Sequence, residues 1–118
     1  MLDSLIRKIL SARVYDVAIE SPVHQAPFLS SRLGRTILYK REDLQPVYSF
    51  KCRGAYNKMV GIDPAVLAKG VIAASAGNHA QGVALGAQKL KIPAVIAMPT
   101  TTPATKVRSV KARGSQVV

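Results

Sequence analysis

Apolar residues recur at helical spacing from the start of the chain. Leu5, Ile6, Ile9, Leu10 and Val14 share one face behind Ser4, a suitable cap, so residues 1–20 read as a helical stretch. Residues 21–36 lose that period; Pro22, Pro27 and Gly34 punctuate them, and a loop-rich segment is expected. Residues 37–40 (ILYK) are a short strand candidate. From there the pattern becomes regular. Ser49 is placed to cap a helix from about Phe50 to Val60, with Gly61 at its end. Asp63-Pro64 and Gly70 bracket a compact second helix. Residues 71–75 (VIAAS) form a continuous apolar run, as expected of a strand covered on both faces. Residues 77–90 return to the helical period, with Ala80, Val83, Ala84, Ala87 and Leu90 on one face. Residues 94–98 (AVIAM) read as a second buried strand stopped by Pro99. Thr102-Pro103 opens a further helix closed by Gly114, and residues 116–118 begin a third strand.

Strand, helix, strand, helix, strand with short joints predicts a parallel α/β sheet with right-handed crossovers. The last apolar strand runs to Val118, and the expectation is an N-terminal piece of a longer protein.

Composition narrows the classes. A chain of 118 residues has the length of one domain, and 48% hydrophobic residues are enough to bury a core, which excludes disorder. No apolar run approaches the roughly 18 residues of a membrane span. Asp3, Arg7 and Lys8 come too early for a secretory signal, and the single Cys52 permits no internal disulfide. No Cys and His set has zinc spacing, and a cytosolic (cytoplasmic) location is the default expectation.

Charge adds a question. Seventeen Lys and Arg against six Asp and Glu give +11, and beyond residue 60 the only acid is Asp63. A basic nucleic-acid-binding domain is one reading. The cations are scattered singly, Trp is absent, and aromatics for base stacking are few, all of which weigh against nucleic acid as a partner. The other reading is that balancing acids lie elsewhere in a longer protein.

Two segments carry candidate chemistry. Ligands of open α/β sheets bind outside the carboxyl ends of the strands. There, after the first buried strand, stand Ser75, Ala76, Gly77, Asn78, His79, Ala80, Gln81 and Gly82. Small residues and helix-initial N–H groups suit a phosphate or carboxylate, although the spacing matches no nucleotide fingerprint. Alternatively, Gly77 and Gly82 serve only a tight turn and close packing. The second segment is Ser49-Phe50-Lys51-Cys52-Arg53-Gly54-Ala55. A lysine at a helix start meets the positive end of the dipole, which disfavours a cation and suits an amine used as a nucleophile. A solvated surface lysine is the ordinary alternative. His24, beside Pro22, reads as a loop residue, and neither His24 nor His79 has a partner visible in the sequence.

The stretches YKREDLQPVYSFKCRGAYNKM and VIAASAGNHAQGVALGAQKL closely resemble the fold-type II pyridoxal-phosphate enzymes, and within them the biosynthetic threonine dehydratases, or threonine ammonia-lyases. The resemblance covers about residues 14–118. It implies a three-layer parallel sheet with helices on both faces, like the tryptophan synthase β chain, incomplete here. Residues 1–45 would belong to the larger domain of such enzymes and residues 46–118 would begin the smaller one.

Residue by residue, the resemblance implies that Lys51 is the Schiff-base lysine that holds pyridoxal 5′-phosphate. Phe50 would pack on the pyridine ring and Asn78 would hydrogen-bond its 3-oxygen. Ser75, Ala76, Gly77, Asn78 and His79 would hold the carboxylate of a small amino-acid substrate. The implied reaction is dehydration and deamination of L-threonine to 2-oxobutanoate and ammonia, in isoleucine biosynthesis, by a homo-oligomer (dimer or tetramer). Serine dehydratases and serine racemase share both motifs and are the alternatives. Cys52 and Tyr48 stand where such enzymes commonly carry Leu and Phe. The glycine-rich phosphate cup, the group facing the pyridine nitrogen and the isoleucine-sensing region find no match in these residues.

Overall fold

The computed structural model describes residues 2–118; Met1, first in the helical reading of 1–20, lies outside the described residues. Helix α1 (Leu2–Leu10) is followed by a 3-10 turn (Val14–Asp16), so the predicted helical stretch breaks after Leu10. The reason is tertiary. Asp16 turns inward to accept a 2.8 Å hydrogen bond from the hydroxyl of Tyr56, and Val17 and Ala18 pack on Val47 and Cys52.

Residues 21–36 hold more structure than a loop. Strand β1 (Val23–Gln25) pairs antiparallel with β2 (Leu38–Lys40), and α2 (Pro27–Leu33) spans the connection. His24 is therefore a strand residue, and its Nδ1 lies 3.1 Å from Arg41. A second 3-10 turn (Glu42–Leu44) leads to α3 (Lys51–Val60) and the short α4 (Pro64–Leu67), which Asp63 caps by accepting from the N–H groups of Ala65 and Val66. Ser49 does not cap α3. The N-cap position is Phe50, and no side chain bonds to the helix start.

The remaining elements follow the predicted order: β3 (Val71–Ala74), α5 (Asn78–Leu90), β4 (Ala94–Ala97), α6 (Ala104–Lys111) and β5 (Gln116–Val117). The three strands are parallel in the order β3-β4-β5, with Val71 beside Ala94 and Val95 beside Gln116. On one face Ile96, fully buried, meets Ala55 and Met59 of α3, Ala80, Val83 and Ala84 of α5, and Val110 of α6. Ile72 points the other way and is 77% exposed. The expected cover on both faces of β3 is thus absent among the described residues. They supply the parallel sheet and one helical layer of the three-layer fold. Likewise, no described residue of α1 is buried.

Candidate active site

Two glycines set the architecture of the site. Gly70, at φ +94°, lets β3 begin with its backbone against Pro93; a β-carbon there would stand 2.6 Å from the Pro93 carbonyl oxygen. Gly82 does the same between helices. A β-carbon at Gly82 would lie 2.9 Å from the carbonyl oxygen of Lys51 and 3.2 Å from the Cys52 nitrogen. Helix α5 therefore packs backbone to backbone on the first turn of α3. The start of α5 and the Lys51 backbone belong to one rigid unit for that reason. Gly82 thus serves close packing, one of the two roles that its sequence context allows.

Lys51 is the first residue of α3, exposed to solvent, with Nζ 4.8 Å from the centroid of the Phe50 ring. Among the described residues no carboxylate forms an ion pair with it. Lys51, Phe50 and His79 line one cavity of about 460 Å³, floored by Gly54, Ala55 and Met59 of α3 and walled by Val71, Ile72 and Ala73 of β3. Ser75, Ala76, Gly77 and Asn78 are not among its lining. Ser75, Ala76 and Gly77 lie in the strand-to-helix loop, and Asn78 opens α5 beside His79.

The loop divides its donors. Ser75 Oγ accepts from the N–H groups of Gly77 (3.3 Å) and Ala80 (3.2 Å), so this hydroxyl caps α5 from a distance. The N–H groups of Asn78 and His79 open the helix, lack intrahelical acceptors and face the positive end of its dipole. Asn78 Oδ1 lies 3.5 Å from Lys106 Nζ of α6, a neighbour that sequence spacing did not reveal. A β-carbon at Gly77 or Gly54 would meet nothing within 4 Å, which leaves open space beside the backbone at both ends of the site.

Behind Lys51 stands a network that sequence reasoning also missed. Arg53 forms a forked ion pair with Glu42, Nε to Oε2 at 2.8 Å and Nη2 to Oε1 at 2.9 Å. Hydrogen bonds from Arg53 hold the Glu42 carboxyl down at about 2, and further bonds from Ser21 and Gln45 act in the same direction. Burial pushes the Cys52 thiol up from its ordinary value, which leaves it a packing residue. The signals were present as the acid of KREDLQPV and the arginine of SFKCRGA, but nothing local joins positions 11 apart.

These parts fit a carbonyl cofactor with an aromatic ring: a primary amine without a counter-ion, an adjoining phenyl face, an open cavity and a helix start for an anion. Comparison decides the matter. The family model described as "Pyridoxal-phosphate dependent enzyme" matches residues 14–118. The chain belongs to this family. Its members depend on pyridoxal phosphate, and these enzymes are therefore the frame for the site.

Among relatives, the chain is 60% identical over 113 residues to threonine dehydratase 1 biosynthetic, chloroplastic, of Solanum lycopersicum, covering 96% of this chain and 19% of that one. It is 56% identical over 113 residues to the mitochondrial threonine dehydratase of Saccharomyces cerevisiae, covering 96% and 20%. Among solved structures, the processed form of threonine deaminase isoform 2 from Solanum lycopersicum superposes with a TM-score of 0.91 at 56% identity, covering 98% of this chain and 33% of that one. Maize serine racemase gives 0.89 at 35% identity, covering 98% and 35%. The chain thus spans about a fifth of the length of the curated relatives it matches. These names correct the expected cytosolic location, since the relatives are chloroplastic and mitochondrial proteins. The absence of a disulfide pair and of a secretory signal does not separate cytosol from organelle. No helix among the described residues is long and apolar enough to cross a membrane.

Proposed function

We propose that these residues carry the amine and the carboxylate-binding loop of a threonine dehydratase, which converts L-threonine to 2-oxobutanoate and ammonia for isoleucine biosynthesis. The observation that carries the reading is the seating of α5 on the backbone of Lys51 through Gly82, because it couples the anion-binding helix start to the amine. Lys51 would hold pyridoxal 5′-phosphate through Nζ, with Phe50 against its ring and Asn78 at its 3-oxygen. When bound, the cofactor supplies the electron sink that makes the substrate α-proton removable.

Lys51 Nζ would be the base that takes that proton. The N–H groups of Asn78 and His79, backed by Ser75, Ala76 and Gly77, receive the substrate carboxylate at the positive end of α5. Fixing the carboxylate and the amine on one unit orients the α-carbon toward Nζ. Loss of the β-hydroxyl and hydrolysis of the resulting unsaturated amine complete the reaction; the water lost first is returned in the second half. Residues 1–45 would pack with a larger domain and residues 46–118 begin a smaller one, and the whole protein would act as a homo-oligomer. The bare Ile72 face and the unburied α1 support partners of that kind.

A serine-directed enzyme is the second reading, supported by the serine racemase likeness at 35% identity, well below the likeness to threonine deaminase. The test is turnover by the whole protein with each amino acid. The proposal expects 2-oxobutanoate from L-threonine at a kcat/KM above that for pyruvate from L-serine. Racemisation of serine without dehydration of threonine would overturn it.

A further inference from the structure

The start of α3 lacks a side-chain cap. Phe50 at the N-cap makes no side-chain bond, and Ser49 Oγ is buried without a hydrogen-bond partner among the described residues. Tyr48, at φ +55°, occupies a backbone region that bulky residues rarely adopt. A helix terminus built this way frays unless tertiary contacts fix it. Yet this first turn carries Lys51.

Arg53, in the same turn, supplies such contacts. Its guanidinium grips both oxygens of Glu42, donates to the Ile19 carbonyl at 3.2 Å and lies 5.4 Å from the Tyr15 ring centroid. Glu42 is itself immobilised by a 2.6 Å bond from Ser21 Oγ. Gln45 closes the loop, pairing through its amide with both backbone groups of Ile19 at 2.9 Å. The Arg53 and Glu42 side chains are 24% and 18% exposed, so this pair is shielded from water, unlike the nearby Arg41–Asp43 pair at 33% and 57%. A forked, shielded and further bonded ion pair restricts geometry far more than a solvated one.

We propose that Glu42 and Arg53 are positioning residues for Lys51: their ion pair replaces the missing cap and fixes the turn from which Nζ enters the cavity. The inference rests on the reading of Lys51 as the cofactor-holding amine. Small displacements of a reacting group are costly in rate, so a loosened turn is visible in how fast Nζ captures the cofactor.

The experiment follows capture of pyridoxal phosphate by the apo form of the whole protein, by stopped-flow absorbance, with melting temperature recorded beside it. Glu42→Gln and Arg53→Lys each keep size but lose the fork, and each is expected to slow capture about tenfold or more. They should also lower kcat while leaving KM for the amino acid nearly unchanged. Asp43→Asn breaks only the exposed pair and should leave the capture rate unchanged. Arg53→Lys retains the charge, so it remains informative if Glu42→Gln fails to fold. Capture at the wild-type rate in Glu42→Gln or Arg53→Lys, even with a lowered melting temperature, would overturn the positioning role. Lys51→Ala separates the two layers: covalent capture persisting there would reject the reading of Lys51 itself, whatever the other variants do.

Discussion

Gly82 rests on the carbonyl of Lys51 with no room for a methyl group between them: a β-carbon would stand 2.9 Å from the oxygen and 3.0 Å from the carbon. Both sides of that contact are backbone, so neither can swing aside. This contact sets how closely the helix that would offer N–H donors to an anion approaches the helix that carries Lys51.

Gly82→Ala is therefore expected to destabilise. Overpacking typically costs about 1–3 kcal/mol, more than the roughly 0.5–1 kcal/mol that alanine gains over glycine in a helix. A thermal melt should show the loss, accompanied by weaker cofactor binding. An unchanged melting temperature would mean that the helices separate without penalty.

Gly54→Ala should behave in the opposite way for stability. A β-carbon there meets nothing within 4 Å, so the helix gains about 0.5–1 kcal/mol from the substitution. The methyl group enters the cavity lined by Lys51 and Phe50, and half-saturation by pyridoxal phosphate should need more cofactor. Higher stability with unaltered cofactor affinity would argue that the cofactor does not use this cavity.

Ser75 and Asn78 should separate folding from binding. Ser75→Ala leaves the N–H groups of Gly77 and Ala80 without their acceptor and, like the loss of a cap, should cost about 1 kcal/mol. Asn78 is exposed and its Oδ1 accepts a long, 3.5 Å hydrogen bond from Lys106 Nζ, so Asn78→Ala should shift stability by less than about 0.5 kcal/mol while lowering turnover. Chemical denaturation and steady-state rates on the two variants check this; a reversed pattern would exchange the roles of the two side chains.

Acid stability offers an independent check on the Glu42–Arg53 pair. The folded Glu42 carboxyl is held at about 2 against an ordinary 4.5, chiefly by hydrogen bonds from Arg53. A carboxyl depressed in the folded state contributes its full stability above the ordinary value and loses it as pH falls toward the depressed one. Unfolding free energy should therefore decline between about pH 4.5 and about 2, and Glu42→Gln should flatten that decline. Asp16, depressed chiefly by the Tyr56 hydroxyl, and Asp43, depressed chiefly by Arg41, also lose stability on acidification, so the difference between variant and wild type is the quantity to read. Parallel profiles would show that the pair does not contribute.

Legibility in the sequence followed the locality of the signal. Asp63-Pro64 announced α4 because capping and a helix-initial proline act within one turn. The small and branched residues of 71–97 announced two strands and a helix because their periods are intrinsic. Pro27 and Gly34 misled: read as loop markers, they are the first position of α2 and its left-handed C-cap at φ +60°. The same residue types end one element and begin another, and only the intervening FLSSRL could have tipped the reading. Helix α1 stopped short of the residue 20 that the apolar spacing implied, because Asp16 is drawn to Tyr56, 40 positions away. In the candidate site, the motifs single out Lys51 and residues 75–79. Gly82 against Lys51, Glu42 with Arg53, and Asn78 with Lys106 were not legible, because each contact exists only after the helices pack.

The most direct measurement is the identity of the residue that holds the cofactor. The whole protein, saturated with pyridoxal phosphate and reduced with borohydride, should yield on proteolysis and mass spectrometry one peptide bearing the cofactor. The account predicts that the modified residue is Lys51. Stoichiometric attachment at another lysine, or none in a folded protein that still turns over threonine, would contradict it.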